Sequence, residues 1–239
     1  MKISILCPTR NRYELLVESI ESIYNTASDV NNIEFLLGMD EDDPSLEKHR
    51  EYVKKSDYDI KIVTSERFGY RMLHEYVNRL CEISTGKYLI LWNDDARMQT
   101  ENWDSILARK VEVQNKPFVW ELSSSNHCDD IFPAIPREWY ELLGHFSLNA
   151  HNDTWIQEIS TWLNVKKYAR DIIVFHLRGD HENFKKSDEP KHNTERSKFF
   201  EEIYDEVDSV LESSAQSFHA PEMFEARKRA ALKLPNDLY

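Results

Sequence analysis

Four short apolar runs, at residues 3–7, 33–39, 60–63 and 87–92, constrain this chain most. Each stops at a polar, acidic or Pro-containing stretch and is followed by residues with helical spacing. Apolar runs of this length read as strands buried on both faces. After the first, Leu15, Leu16, Ile20, Ile23 and Tyr24 recur at helical spacing over residues 12–26. The helices that follow the other runs are expected over residues 44–55, 70–83 and 102–114, with a further strand at 118–122. Regular alternation of strand and helix implies an α/β fold, a mostly parallel central sheet flanked by helices on both faces. In such sheets ligands bind beyond the carboxyl ends of the strands. Three polar clusters fall there: Pro8-Thr9-Arg10-Asn11-Arg12, Asp40-Glu41-Asp42-Asp43 and Asn93-Asp94-Asp95.

Beyond residue 122 the alternation fades. Residues 123–137 are polar and interrupted by prolines, and helices are expected at 138–143 and 154–163, with a strand at 171–177. Residues 179–194 are charged and poorly patterned. A helix at 198–212 carries a broad apolar face that includes Phe199, Phe200, Ile203, Tyr204, Val207, Val210 and Leu211; another is expected at 221–234. The first of these faces is too broad to leave in water, so it should dock on the rest of the chain or form a homo-oligomer. We therefore divide the chain into residues 1–180, with halves at 1–122 and 123–180, and a C-terminal helical extension at 181–239.

Composition removes several function classes. Only 5 glycines are present and neither a P-loop nor a G-x-G-x-x-G motif occurs, so side chains and a metal would have to hold any nucleotide. The net charge of −13 disfavours nucleic acid and anionic membranes as partners. No apolar stretch approaches the ~20 residues of a membrane span. The three distant cysteines, Cys7, Cys81 and Cys128, lack zinc or redox spacing. With no leader-like segment ahead of Ile3, these features predict a cytoplasmic protein.

The clusters carry the chemistry. Adjacent carboxylates at a buried strand end repel each other and lose hydration, and a hard cation such as Mn²⁺ or Mg²⁺ would relieve both costs. A helix-capping turn at Asn93-Asp94-Asp95 is the competing explanation. Asp40, first after its strand, is placed to accept a hydrogen bond from a nucleotide base, whereas Asp42 and Asp43 suit capping or solvation. Arg10 and Arg12 could pair with phosphate, and Asn11 suits the cap of the first helix. Asp153 precedes a helical pattern, so it is either a cap or a general base. His176, ending a strand, becomes a candidate metal ligand only if it lies near Asp95; His181 competes with it.

Taken in order, these residues resemble the family 2 glycosyltransferases, which have the Rossmann-like GT-A fold. The match runs through Ser4-Ile5-Leu6-Cys7-Pro8-Thr9-Arg10-Asn11-Arg12, Asp40, Phe68-Gly69 through Asn78 to Thr85-Gly86-Lys87-Tyr88, Asn93-Asp94-Asp95, Leu143-Gly144-His145-Phe146 and Asn152-Asp153, covering roughly residues 3–180. Asn93 stands at the first position of the family's DxD metal motif, His145 replaces a Gly, and Asn152 replaces a Glu. The resemblance implies a metal-dependent, inverting transfer from a nucleotide-sugar, a UDP-sugar first, to a glycan or other hydroxyl acceptor. Asp153 would be the base and Asp95, with His176, the ligand of Mn²⁺ or Mg²⁺. Pro8, Thr9, Arg10, Arg12, Asp40, Arg71, Asn93 and Asp94 would line the donor site, with Asp40 and Thr9 holding base and ribose. Residues 123–137, with His127, Asp129 and Asp130, would form an acceptor-side loop. Asn93 and Asn152 also allow a non-catalytic sugar or nucleotide binder. A nucleotidyltransferase ranks lower, because the loop after the first strand is not glycine-rich.

Overall fold

The computed structural model describes residues 1–114, 116–125, 132–148 and 150–177. Its strands are β1 (Ile3–Pro8), β2 (Ile33–Asp40), β3 (Ile60–Ser65), β4 (Tyr88–Leu91), β5 (Ala96–Met98), β6 (Val119–Ser124), β7 (Phe132–Pro136) and β8 (Lys166–His176). Its helices are α1 (Tyr13–Asn25), α2 (Leu46–Lys55), α3 (Leu73–Ile83), α4 (Trp103–Val113), α5 (Arg137–Leu143) and α6 (Asn152–Trp162). The strands form one sheet in the order β3-β2-β1-β4-β7-β6-β8-β5. The β3-β2-β1-β4 half is parallel, as the alternating pattern predicts. β7 runs antiparallel to both β4 and β6, and β5 antiparallel to β8, so the sheet as a whole is mixed.

Alternation along β1 builds two cores. Ile3, Ile5 and Cys7 join Leu16, Ile20 and Ile23 of α1 and Trp103 and Leu107 of α4 on one face. Leu6 joins Val77 and Leu80 of α3, Trp139 of α5 and Trp155, Ile156 and Ile159 of α6 on the other. Each such side chain contributes about 1.5–3 kcal/mol by leaving water. Cys7 and Cys81 are buried free thiols.

Two strands escape the sequence pattern. β5 has three residues, too few to show a period. β7 contains Pro133 and Pro136, which argue against a strand between two others. It corrects the loop expected over residues 123–137, whose C-terminal part is this strand. Two helix starts also differ. Arg12, not Asn11, is the N-cap of α1, and Asn11 takes a left-handed φ of 53° while its N–H reaches Asp43 at 3.0 Å. Asp43 caps locally instead, accepting from the Ser45 N–H and hydroxyl at 2.7 Å. Residues 70–72 form a 3₁₀ turn ahead of α3, not its first helical turn. The extension at 181–239, with the apolar face at 199–211, lies outside the described residues, as do His127, Cys128, Asp129, Asp130 and His181.

The amino end of the sheet is held by one carboxylate. Glu34, fully buried at the start of β2, accepts from the Ser4 hydroxyl of β1 at 2.6 Å and from Lys61 of β3 at 2.8 Å. It also accepts from the backbone N–H and hydroxyl of Thr85, in the turn between α3 and β4. That turn closes on β1 so tightly that a Cβ on Gly86 would lie 2.5 Å from the Ser4 N and Oγ. Burial works against the ionised Glu34, yet Lys61, Ser4 and Thr85 outweigh it and lower its pKa from 4.5 to about 2. A carboxylate whose folded pKa lies below its unfolded value stabilises the fold above the unfolded value and loses that stabilisation as pH falls through the folded one. Glu34→Gln should therefore cost about 2–3 kcal/mol at pH 7. Chemical denaturation at a series of pH values should show the wild-type protein losing this increment between about pH 4.5 and about pH 2, so that the difference between wild type and variant shrinks across that window.

Candidate active site

Beyond the carboxyl ends of β1, β2 and β4 lies an open cleft of about 1140 Å³. Pro8, Thr9, Arg10, Arg12, Asp40, Asn93, Asp94, Asp95, Asp153 and His176 all line it. Arg71 does not: it is exposed, and Arg67, five residues before the 3₁₀ turn ends, is the arginine of that segment that lines the cleft. The sequence pattern marks a basic residue near this turn without showing which one points inward.

At the end of β2, Asp40 is 3% exposed. The Tyr76 hydroxyl of α3 donates to its Oδ1, and Arg10 donates to its Oδ2 at 2.6 Å while also holding Asp42 at 2.6 Å. Gly38 makes the first contact available, because α3 packs against it with the Tyr76 Cβ 3.3 Å from where a glycine Cβ would sit. A carboxylate oxygen has two lone pairs, so Asp40 keeps acceptor capacity towards the cleft. Thr9 lies on the adjacent strand end, its N–H bonded to the Gly38 carbonyl at 3.0 Å. Its hydroxyl turns the other way and donates to Asp94 Oδ2 at 2.8 Å.

The acidic pair after β4 is buried, Asp94 at 7% and Asp95 at 3% exposure. Arg12 bridges it, with one guanidinium nitrogen 2.5 Å from Asp94 Oδ1 and the other 3.4 Å from Asp95 Oδ2. Burial pushes the Asp94 pKa up, and the charge of Arg12 and the Thr9 hydroxyl only partly oppose it. Burial acts in the same sense on Asp95, but His176 and then Arg12 outweigh it and hold its carboxyl below the usual range. Of the two, Asp95 is therefore the firmer anion.

His176 reaches Asp95 because β8 turns back beside β5. The antiparallel register sets His176 opposite Ala96, and the Leu177 N–H bonds to the Asp95 carbonyl at 3.2 Å. His176 Nε2 then lies 2.9 Å from Asp95 Oδ1 and 3.1 Å from the Asn93 side-chain amide. An imidazole lone pair and a carboxylate oxygen can sit so close only with a proton or a cation between them. The separation matches the edge of an octahedron with ligands at ~2.1 Å, about 3 Å, so Asp95 and His176 fit two neighbouring positions on a cation such as Mg²⁺. Among the described residues no group of three or more His, Cys, Asp and Glu side chains is placed to hold a metal. Phosphate oxygens and water would complete such a coordination shell, as is usual for Mg²⁺.

Asp153, on the first turn of α6, also lines the cleft. The cap of α6 is His151, not Asp153. Asp153 Oδ1 accepts only from the adjacent Thr154 N–H among the bonds resolved for it, at 2.8 Å. The segment leading to α6 is held by Asn78 of α3. Its Oδ1 accepts from the Phe146 and Ser147 N–H groups at 2.7 and 3.2 Å, and its Nδ2 donates to the Ser147 carbonyl at 2.8 Å. Sequence reasoning gave Asn78 no role: its neighbours at helical spacing include His74, Glu75 and Glu82, so nothing in the pattern sets its amide apart.

A parallel half-sheet continued by antiparallel strands, with an acidic pair at one strand end and Asp153 lining the same cleft, fits the GT-A architecture. The chain belongs to glycosyl transferase family 2, whose sequence profile matches residues 4–142. No curated protein matches it in sequence. Among solved structures it is similar to Staphylococcus aureus TarS 1–349, at TM-score 0.66 and 12% identity, over 97% of this chain and 71% of that one. The complex of that protein with UDP gives 0.65, with the same identity and coverage. The Pyrobaculum calidifontis mannosyltransferase PcManGT, in complex with GDP-Man and Mn²⁺, is similar at TM-score 0.56 and 16% identity, over 98% of this chain and 81% of that one. At these identities the likeness shows the fold. Among the described residues no helix is long and apolar enough to cross a membrane.

Asn78→Ala leaves two backbone N–H groups and one carbonyl without their side-chain partner. It should lower stability by about 1–3 kcal/mol and expose residues 144–151 to limited proteolysis before the rest of the molecule. Unchanged protease sensitivity in that segment would show that other contacts hold it.

Proposed function

We propose that this glycosyltransferase binds a nucleoside-diphosphate sugar in the cleft and transfers the sugar, with inversion, to an acceptor hydroxyl. One observation carries the reading: cationic side chains, the Asp95–His176 pair and Asp153 line the same cavity although they come from five separate parts of the sequence. Residues 1–122 form the donor half and residues 123–180 the acceptor half. Asp40 accepts a hydrogen bond from the base. Arg10, Arg12 and Arg67 line the cleft and supply guanidinium donors for the diphosphate. UDP is the first donor nucleotide to test, and GDP the second, in line with the complexes known for TarS and PcManGT.

In the transfer, Asp153 takes the proton of the acceptor hydroxyl as that oxygen bonds to the anomeric carbon and the bond from that carbon to the diphosphate breaks. No covalent enzyme intermediate is required. Asp95 and His176 would hold Mn²⁺ or Mg²⁺, which when bound neutralises charge on the departing diphosphate.

A thermal-shift screen of nucleoside diphosphates and their sugars, with Mn²⁺ and with chelator, identifies the donor: stabilisation by UDP or GDP that chelator removes supports the reading, and none with any nucleotide overturns it. Asp153→Asn separates base from structural group, because Asn resembles Asp in size but cannot take the proton. The variant should fold and bind donor normally, with transfer slower by on the order of 10²–10⁴. Full transfer activity would remove Asp153 from the mechanism.

A further inference from the structure

Arg12 occupies a position that bears on the order in which cation and nucleotide can bind. Its guanidinium touches both carboxylates of the acidic pair, tightly at Asp94 and more loosely at Asp95. The other two cleft arginines do not compete for this role. Arg10 is held by Asp40 and Asp42, and Arg67 is exposed. The backbone of Arg12 is fixed, because its carbonyl accepts the Leu16 N–H at 2.9 Å, but its side chain gives α1 no capping bond. That side chain is 28% exposed and lines the cleft, so it can turn towards a phosphate without disturbing the helix.

We infer that Arg12 is an internal counter-cation that holds the acidic pair while the cleft is empty and opposes a divalent cation at Asp95 until a diphosphate draws the guanidinium away. This rests on the reading of the cleft as a nucleoside-diphosphate site. A guanidinium in contact with Asp95 and a divalent ion on the same carboxylate are like charges a few ångströms apart, and they repel even through water. A diphosphate reverses the balance. Its oxygens accept from the planar fork of Arg12 and supply ligands to the cation, so both positive charges are accommodated at once. The nucleotide and the cation therefore enter together, and Arg12 couples them.

Calorimetric titration of Mn²⁺ into the full nucleotide-free chain tests this directly. Arg12→Gln should bind Mn²⁺ about tenfold more tightly than wild type, the size expected from removing one nearby positive charge in a well-screened cleft. UDP should then strengthen Mn²⁺ binding more in the wild type than in the variant. Arg12→Lys keeps the charge but cannot span both carboxylates, so it gives a smaller gain in the same direction and decides the matter if the Gln variant melts too low to use. Mn²⁺ affinity in nucleotide-free Arg12→Gln equal to or weaker than wild type, or no Mn²⁺ binding by either form, overturns the inference. If UDP binds neither with nor without Mn²⁺, the donor reading fails, while the nucleotide-free comparison still decides the role of Arg12.

Discussion

Two carboxylates on consecutive residues, buried at the end of a central strand, are the constraint around which this molecule is arranged. Asp94 and Asp95 repel each other and have given up most of their water. Left alone, such a pair would cost several kcal/mol per ion. The fold surrounds it with groups from far apart in the chain: Thr9 and Arg12 from the turn after β1, and His176 from the end of β8. The parallel register of β1 and β4 brings the first two within reach, because Thr9 and Asp94 each follow the paired Leu6 and Leu91 by the same number of residues. The antiparallel return of β8 along β5 brings the third.

The opposite end of the sheet answers a different demand. Glu34 is as buried as the acidic pair, but its donors come from β1, β3 and the turn before β4, and they satisfy it within the protein. Gly86 lets that turn close, at a spacing that no side chain could occupy. The two ends share the same strands and the same physics of buried charge. At the amino end the charge is fully paired and stabilises. At the carboxyl end it is paired by groups that a ligand can replace, and that difference separates scaffold from site.

Much of this was legible in the sequence because burial and periodicity are local signals. The apolar runs at 3–7, 33–39 and 87–92 mark strands, and in a parallel sheet their ends must converge, which is how Thr9, Asp40 and Asp95 could be grouped before any coordinates. What was not legible depends on partners. β7 is a strand only because β4 and β6 flank it, in spite of its two prolines. Asn11 has the chemistry of a cap, but its N–H goes to Asp43 of the next loop and the helix starts one residue later. Arg67, ahead of the 3₁₀ turn, lines the cleft and Arg71, within it, does not, a difference that no local pattern encodes. His176 could be weighed only conditionally, since its position follows from pairing with a strand of three residues.

The departure of Asn93 from the family's acidic pattern acquires a physical sense from Arg12. Two carboxylates facing one guanidinium leave a single net negative charge in this corner of the cleft. An aspartate at position 93 would add a second, within reach of His176 Nε2, and would favour a cation there whether or not a nucleotide had arrived. The neutral amide keeps a polar group beside His176, able to present its oxygen if the amide is turned, without that standing charge. On the proposed reading, residue 93 and Arg12 would act in the same direction, each reducing the attraction of the nucleotide-free site for a cation. The cleft's remaining arginines, Arg10 and Arg67, attract phosphate instead. On the proposed donor reading, an electrostatic surface built this way would select a cation together with its anionic ligand over either partner alone, with side chains rather than with the glycine-rich backbone cradle that this sequence lacks.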